Sequence, residues 1–168
     1  TYYDPLIGAD IAALIQENTK IVYTESPGSL TFEVQDIRAI ADEAHKRGCV
    51  VIIDDTWSSG MFFKPFEHGA DVFVIAATKY IVGHSDVMMG VITTTDEQWQ
   101  RVRQSASDMG ANSGPDDVYL ALRGLRMLLD TLENVREVTN PGLNIMGILA
   151  TRYDGRTINS REVYAYLR

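Results

Sequence analysis

Residues 49–57 read CVVIIDDTW, an apolar run that ends in two acids. A short, continuous run of this kind is typical of a strand buried inside a parallel sheet. Before it, apolar residues recur at helical spacing, and Gly48 ends the pattern. The members of that helical face are Val34, Ile37, Ile40, Ala41 and Ala44. We therefore predict a helix that leads into a strand at residues 49–53.

The same alternation of helices and strands extends to both sides of this unit. Further strands are predicted at residues 21–24, 71–76, 88–93 and 144–151. Strands that alternate with helices indicate an α/β fold with a mainly parallel, three-layer sheet covered by helices on both faces. Ligands bind such sheets beyond the carboxyl ends of the strands, so polar residues that directly follow an apolar run are the candidates for a site.

Local signals predict three more helices. Thr95 and Gln98 form a predicted capping box for a helix that reaches about Ser107. The longest helix is predicted over residues 116–136, where leucines and valines form an apolar stripe. A last helix is predicted to begin at Asn159, a suitable N-cap residue.

Composition argues against several classes of protein. The net charge of −8 disfavours binding to nucleic acid or to an anionic membrane, and we expect a cytoplasmic protein. The single cysteine, Cys49, rules out an internal disulfide and is predicted to be a buried core thiol. The three histidines show no metal-ligand spacing with Cys49 or with one another, so no metal site is predicted.

Two strand ends carry groups that suggest chemistry. Asp54 and Asp55 follow the strand at residues 49–53, and Lys79 follows the strand at residues 71–76. Burying an ammonium group is costly, and a desolvated lysine can form an imine with an aldehyde cofactor. Pyridoxal phosphate (PLP) needs such a lysine and a carboxylate against its pyridine nitrogen, which Asp54 could supply. A chance buried pair remains the alternative on these residues alone.

Four segments sharpen this interpretation, because they occur in order and at separations that match a known family. They are TYYDPLIG at 1–8, ESPGS at 25–29, IDDTW at 53–57 and AATKYIVGHSD at 76–86. From residue 1 to about 126 the chain resembles the Cys/Met-metabolism PLP-dependent enzymes, and within them the cystathionine β-lyases. The resemblance implies part of the large domain of an aspartate aminotransferase-like PLP-transferase fold.

The resemblance also implies a role for each matching residue. Lys79 would bond to PLP and carry the proton between the substrate carbon and the cofactor, and Asp54 would pair with the pyridinium nitrogen. Thr78 would contact the cofactor phosphate, and Ala76 occupies a position where many relatives have a phosphate-binding serine. Trp57 would pack near the cofactor, with a plain core aromatic as the open alternative.

Full-length relatives cleave the carbon–sulfur bond of cystathionine by β-elimination and give homocysteine, pyruvate and ammonia. The resemblance therefore implies a carbon–sulfur lyase of transsulfuration and methionine biosynthesis, with a small amino-acid substrate and a homo-oligomeric state. Asp55 departs from the usual Asn of the relatives and adds a negative charge near the ring. The chain starts at Thr1 and lacks two segments of the longer relatives, so we expect a fragment without efficient turnover.

The last forty residues suggest a second origin. Residues 127–168, and in particular NPGLNIMGILATRYDGRTINSREV at 140–163, resemble the carboxyl-terminal part of a ParA-type partitioning ATPase. The simplest account is a chimera of two α/β fragments, with residues 1–126 as the PLP-binding part. The helix–strand–helix tail, residues 127–168, would then complete the same sheet.

Two alternative functions remain open at this point. The strand that ends at Asp54 also resembles a Walker B strand, but no G-x-x-x-x-G-K-[ST] phosphate loop occurs in the chain, which argues against a P-loop ATPase. The other alternative is a non-catalytic α/β scaffold that keeps an incomplete cofactor site. Binding of PLP through Lys79 would separate the scaffold from the lyase.

Overall fold

The structure of the chain, a computed structural model, describes residues 1–138, with every side chain in that range except those of Leu128 and residues 131–138. Its strands are β1 (Ile21–Glu25), β2 (Val50–Asp54), β3 (Val72–Ile75) and β4 (Val91–Thr94). Its α-helices are α1 (Ile37–His45), α2 (Asp96–Asp108) and α3 (Pro115–Val138). The shorter elements are 3₁₀ turns at Gly8–Ala13 and Pro65–His68 and a π-helical turn at Thr78–Val82.

The four strands form one sheet in the order β1-β2-β3-β4. β1, β2 and β3 are parallel, and β4 runs antiparallel to β3. The predicted α/β class with a mainly parallel sheet is thus confirmed. The ladder between β2 and β3 ends where Asp54 pairs with Val74, so the carboxyl ends of these two strands lie side by side.

Helix α1 begins at an aspartate that caps it. The Asp36 carboxylate accepts a hydrogen bond from the Ala39 N–H at 3.0 Å, as a good N-cap residue does. The predicted buried face is confirmed for Ile37 and Ala44, among others, but not for Val34. Val34 precedes the cap and is 67% exposed, because the cap starts the helix only at Ile37.

The core lies between α1 and one face of the sheet. Alternate residues of β1 and β2 are buried, namely Val22, Thr24, Val51 and Ile53. On the other face Ile21 and Tyr23 are about half exposed. Cys49 belongs to the core, as predicted, and its thiol donates to the carbonyl of Thr19 at 3.4 Å.

Helix α2 starts where the sequence predicts, but without the predicted capping box. Thr95 occupies the N-cap position, yet its hydroxyl makes no cap and has no hydrogen-bond partner in the described part of the chain. Its own N–H donates to the carbonyl of Asp71 at 2.9 Å. This backbone bond holds Thr95 against the start of β3, with the hydroxyl oxygen buried.

The chain divides into two compact units, Thr1–Gly124 and Leu125–Arg168. The predicted long helix is confirmed as α3, which continues to Val138. The predicted strand at residues 144–151 and the helix after Asn159 lie outside the described residues.

None of the helices within residues 1–138 is both long and apolar enough to cross a bilayer.

Candidate active site

The two acids at the end of β2 have separate sets of hydrogen-bond partners. Asp54 is half-buried and bonds to Thr56, two residues on. Asp55 is fully buried and bonds to Ser58 and Gly60. Adjacent residues at a strand end project to opposite sides, so the two carboxylates enter different surroundings.

Thr56 donates two hydrogen bonds to one oxygen of Asp54. Its N–H lies 3.0 Å from Asp54 Oδ1, and its hydroxyl lies 2.6 Å from the same atom. Among the described residues, none donates a hydrogen bond to the second oxygen, Oδ2. One side of the carboxylate is therefore fixed, and the other is open to a further donor.

The same hydroxyl connects the ends of β2 and β3. Thr56 Oγ1 accepts a hydrogen bond from the Ala76 N–H at 2.9 Å, while the Ala76 carbonyl accepts from the Lys79 N–H at 3.0 Å. A continuous path thus runs from the Asp54 carboxylate through Thr56 and Ala76 to the backbone of Lys79. The structure thus links the carboxylate of Asp54 to the backbone of two further residues that the sequence proposed, Ala76 and Lys79.

The Lys79 side chain itself is exposed, which corrects the expectation of a desolvated lysine. β3 ends at Ile75, and the chain then enters the π-helical turn Thr78–Val82. The lysine therefore does not continue the buried strand, and its ammonium group meets solvent in this chain. Short π-helical turns are frequent at functional sites.

Packing against α3 holds the π-helical turn in place. Val82 and Val87 are buried with Ala121 of α3 in one small cluster. At Gly124 the helix comes so close that a Cβ atom would lie 2.3 Å from the carbonyl oxygen of Val82 and 2.9 Å from that of Ile81. Only glycine fits there, because both neighbours are backbone atoms that cannot rotate aside.

Thr78 is bonded to the segment that leads into β4. Its hydroxyl accepts from the Met89 N–H at 2.8 Å and lies 3.3 Å from the Met89 carbonyl, and its own N–H donates to that carbonyl at 3.1 Å. A phosphate contact would require the hydroxyl to turn its hydrogen away from Met89. The phosphate role of Thr78 stays a prediction.

Trp57 is 42% exposed, so it is not a plain core aromatic. Its ring meets that of Phe32 edge to face, with centroids 5.6 Å apart. The contact leaves much of the indole free, and the role near a cofactor stays a prediction. Ala76 offers a half-buried backbone but no side-chain donor for a phosphate.

The electrostatic surroundings of the two acids differ. Burial raises the pKa of the Asp55 carboxyl above its ordinary value, and the nearby charge of Asp54 adds to this, while donation from Ser58 and Gly60 acts against it. Burial also raises the pKa of the Tyr23 phenol, with a further contribution from the negative charges of Asp54 and Glu25. The negative charge of Asp54 thus acts on both Asp55 and Tyr23, while the positive charge of Lys64 acts in the opposite direction at Asp55.

Two cavities in the described part of the chain lie away from these residues. One of about 260 Å³ lies along α2, and another of about 290 Å³ lies at the amino ends of β2 and β3. Within residues 1–138 no three His, Cys, Asp or Glu side chains gather as metal ligands. The candidate site is thus defined by the residues at the carboxyl ends of β2 and β3.

Sequence reasoning missed Thr56. The signal was available in the spacing of Asp54 and Thr56, because an aspartate often bonds to groups two residues ahead in a turn. The contact with Ala76 carries no local signal, since it joins residues 20 positions apart.

The chain is similar to PLP-dependent lyases in sequence and fold. A putative cystathionine β-lyase of Rhizobium johnstonii is 47% identical over 127 residues, 76% of this chain and 32% of that relative. The cystathionine β-lyase of Haemophilus influenzae is 46% identical over 130 residues, 76% of this chain and 33% of the relative. The crystal structure of a cystathionine γ-lyase from Lactobacillus plantarum complexed with L-serine matches with a TM-score of 0.72 at 30% identity, over 82% of this chain and 38% of that one.

The chain spans about a third of the length of the curated relatives it matches. The structural match confirms the predicted PLP-transferase fold. The division near residue 126 and the ParA-like origin of the tail stay predictions. A sequence profile for the Cys/Met metabolism PLP-dependent enzymes matches residues 1–140. Because this match covers most of the chain and the fold agrees with it, the chain belongs to the Cys/Met metabolism family of PLP-dependent enzymes.

Proposed function

We propose that this chain supplies the lysine and the carboxylate of a PLP site in an enzyme that cleaves a carbon–sulfur bond of an amino-acid substrate. The finer part of the proposal is β-elimination from cystathionine, with homocysteine, pyruvate and ammonia as products. The observation that carries it is the hydrogen-bonded path from Asp54 through Thr56 and Ala76 to the backbone of Lys79. The names of the relatives support cystathionine as the substrate.

The residues present fit the cofactor at two points. Asp54 has one oxygen held by Thr56 and one that accepts no hydrogen bond from the described residues, so Oδ2 can accept from a protonated ring nitrogen. Lys79 carries an exposed amine three residues beyond Ala76, which is linked to the same carboxylate. A lysine and a carboxylate against the ring nitrogen are the two groups that PLP chemistry requires.

When bound, PLP acts as an electron sink for the negative charge that develops on the substrate carbon. Asp54 would keep a proton on the ring nitrogen by presenting a fixed negative charge to it. The Lys79 amine would bond to the cofactor and then take up and return the proton at the substrate carbon. A flexible, exposed side chain on a short turn suits a group that must change partners.

Labelling with PLP tests the lysine. The purified chain is mixed with PLP, its visible spectrum is recorded, and the product is reduced with borohydride so that the modified lysine can be mapped. We expect the label on Lys79, lost in Lys79→Ala and retained in Lys20→Ala, which removes another exposed lysine. Label spread over Lys20, Lys46 and Lys64, or no label, contradicts the proposal and favours a non-catalytic scaffold.

The released keto acid tests the reaction. Pyruvate formed from cystathionine above the level of Lys79→Ala supports β-elimination. Formation of 2-oxobutyrate instead would indicate γ-elimination and overturn the finer part of the proposal. A labelled Lys79 with no keto acid would show that the chain holds the cofactor without turnover.

A further inference from the structure

We propose that Thr56 is a positioning residue, which fixes the Asp54 carboxylate and fastens the end of β2 to the end of β3. This inference rests on the proposed function, since it concerns the same site. It adds a residue that acts on the site through Asp54 and Ala76.

Three hydrogen bonds of Thr56 connect the ends of β2 and β3. Its N–H and its hydroxyl donate to Asp54 Oδ1 at 3.0 and 2.6 Å, and the hydroxyl oxygen accepts from the Ala76 N–H at 2.9 Å. Thr56 is 5% exposed, so water cannot readily replace these partners. The hydroxyl uses both of its capacities, as donor and as acceptor, on two different strand ends.

This geometry determines which oxygen of Asp54 is available. Two donors on Oδ1 hold the carboxyl group in one orientation, and Oδ2 is the atom left open. A side chain without a hydroxyl would leave one donor on Oδ1 and would free the carboxylate to rotate. The Ala76 N–H would lose its partner in the same substitution, three residues before Lys79.

Two substitutions separate the hydroxyl from the shape of the side chain. Thr56→Val keeps the shape of the side chain and removes the two hydrogen bonds of the hydroxyl, while Thr56→Ser keeps the hydroxyl and removes a methyl group. If the inference is correct, the serine variant has the amide exchange and PLP binding of the wild type, and the valine variant does not. A role in packing alone predicts the reverse order.

Amide hydrogen exchange tests the link without any cofactor. We measure exchange of the Ala76 amide relative to the Val50 amide, which bonds to the Lys20 carbonyl and reports general stability. In Thr56→Val the Ala76 amide should exchange about tenfold faster relative to Val50, and in Thr56→Ser within about threefold of wild type. An unchanged ratio in Thr56→Val overturns the inference.

The visible band of the PLP-treated chain tests the effect on Asp54. We expect Thr56→Val to weaken PLP binding about tenfold and to move the pH midpoint of the band, and Thr56→Ser to restore both. A normal band and midpoint in Thr56→Val contradict the positioning role. If the wild-type chain forms no adduct at Lys79, the proposed function fails, and amide exchange still decides whether Thr56 joins the strands.

Discussion

The ends of β2 and β3 lie side by side, but they are built differently. After β2, side chains hold the chain, since Asp54 and Asp55 bond to Thr56, Ser58 and Gly60 within the next five residues. After β3, contacts with more distant segments hold it, because Thr78 bonds to Met89 through its backbone and its hydroxyl, and α3 approaches closely at Gly124. The carboxylates are half or fully buried, whereas the Lys79 amine is exposed.

The difference matches what the two groups are proposed to do. A carboxylate that must stay in one place against a ring nitrogen needs donors that fix it, and a buried acid needs partners in any case. A lysine with the proposed role of taking up and returning a proton would have to move, and the exposed side chain of Lys79 leaves room for this. The proposed site thus has a carboxylate half at the end of β2, where Asp54 is hydrogen-bonded, and a lysine half at the end of β3, where Lys79 is exposed.

Gly124→Ala tests the packing of α3 against the π-helical turn that carries Lys79. It should have the largest effect on the free energy of unfolding. Alanine in place of glycine favours a helix by about 1 kcal/mol. Here, however, its Cβ would lie 2.3 Å from a backbone oxygen, so we expect a net loss of about 2 kcal/mol in the free energy of unfolding. Urea denaturation measures this loss, and labelling of Lys79 by PLP should slow in the same variant.

Gly110→Ala provides the control for Gly124→Ala. Gly110 has a φ of 63°, and nothing lies within 4 Å of a Cβ built there, so the substitution adds backbone strain without a close contact. Gly110→Ala should lower the free energy of unfolding by about 1 kcal/mol and leave the labelling of Lys79 by PLP unchanged. If Gly124→Ala is more stable than wild type, α3 does not pack closely against the π-helical turn.

Asp55→Asn tests the surroundings of the acids at the end of β2, through the pH dependence of stability. Burial raises the pKa of Asp55 in the folded state above its ordinary value, so its favourable contribution is complete at low pH and is lost as the pH rises through the folded value. Asparagine can accept from the Gly60 N–H and donate to the Ser58 hydroxyl without any charge. We expect Asp55→Asn to be more stable than wild type at pH 7, with the difference falling towards pH 4.

The difference in the free energy of unfolding between wild type and Asp55→Asn should therefore change with pH. Urea denaturation of both proteins between pH 4 and 8 measures it, and the exposed Asp10→Asn is the control. A difference that grows as the pH falls would contradict the assigned direction of the shift.

Trp57 should give the smallest effect on stability, because it is partly exposed and its ring contact is with Phe32. Trp57→Phe should change the free energy of unfolding by less than about 1 kcal/mol. If Trp57 lies near the bound cofactor, PLP should quench its fluorescence. The chain has one other tryptophan, Trp99, so Trp99→Phe isolates Trp57 and Trp57→Phe serves as the control. Equal quenching of the two variants would contradict a position of Trp57 near the cofactor.

Periodic patterns predicted most of the fold, because burial repeats along a helix or strand and leaves a trace in the sequence. Helical spacing predicted α1 and α3, and apolar runs predicted the strands. Local signals predicted the rest, namely the Thr95 and Gln98 pair for α2 and the apolar neighbours of Cys49 for its burial. The predicted burial of Val34 and the predicted capping box at Thr95 were wrong. The start of a helix depends on which hydroxyl or carboxylate reaches a free N–H, and the spacing alone does not determine this. The exposure of Lys79 follows from a π-helical turn, which has no periodicity that a sequence pattern reveals.

Thr56 also lets the sheet continue where its second strand has already turned away. The threonine oxygen takes the place of a main-chain carbonyl as the acceptor for Ala76, so a side chain forms one more rung of the ladder. The main chain of residues 57–60 is thereby released from pairing with its neighbour. That loop is held instead by its own bonds to Asp55, from the Ser59 N–H to the carbonyl and from the Gly60 N–H to the carboxylate.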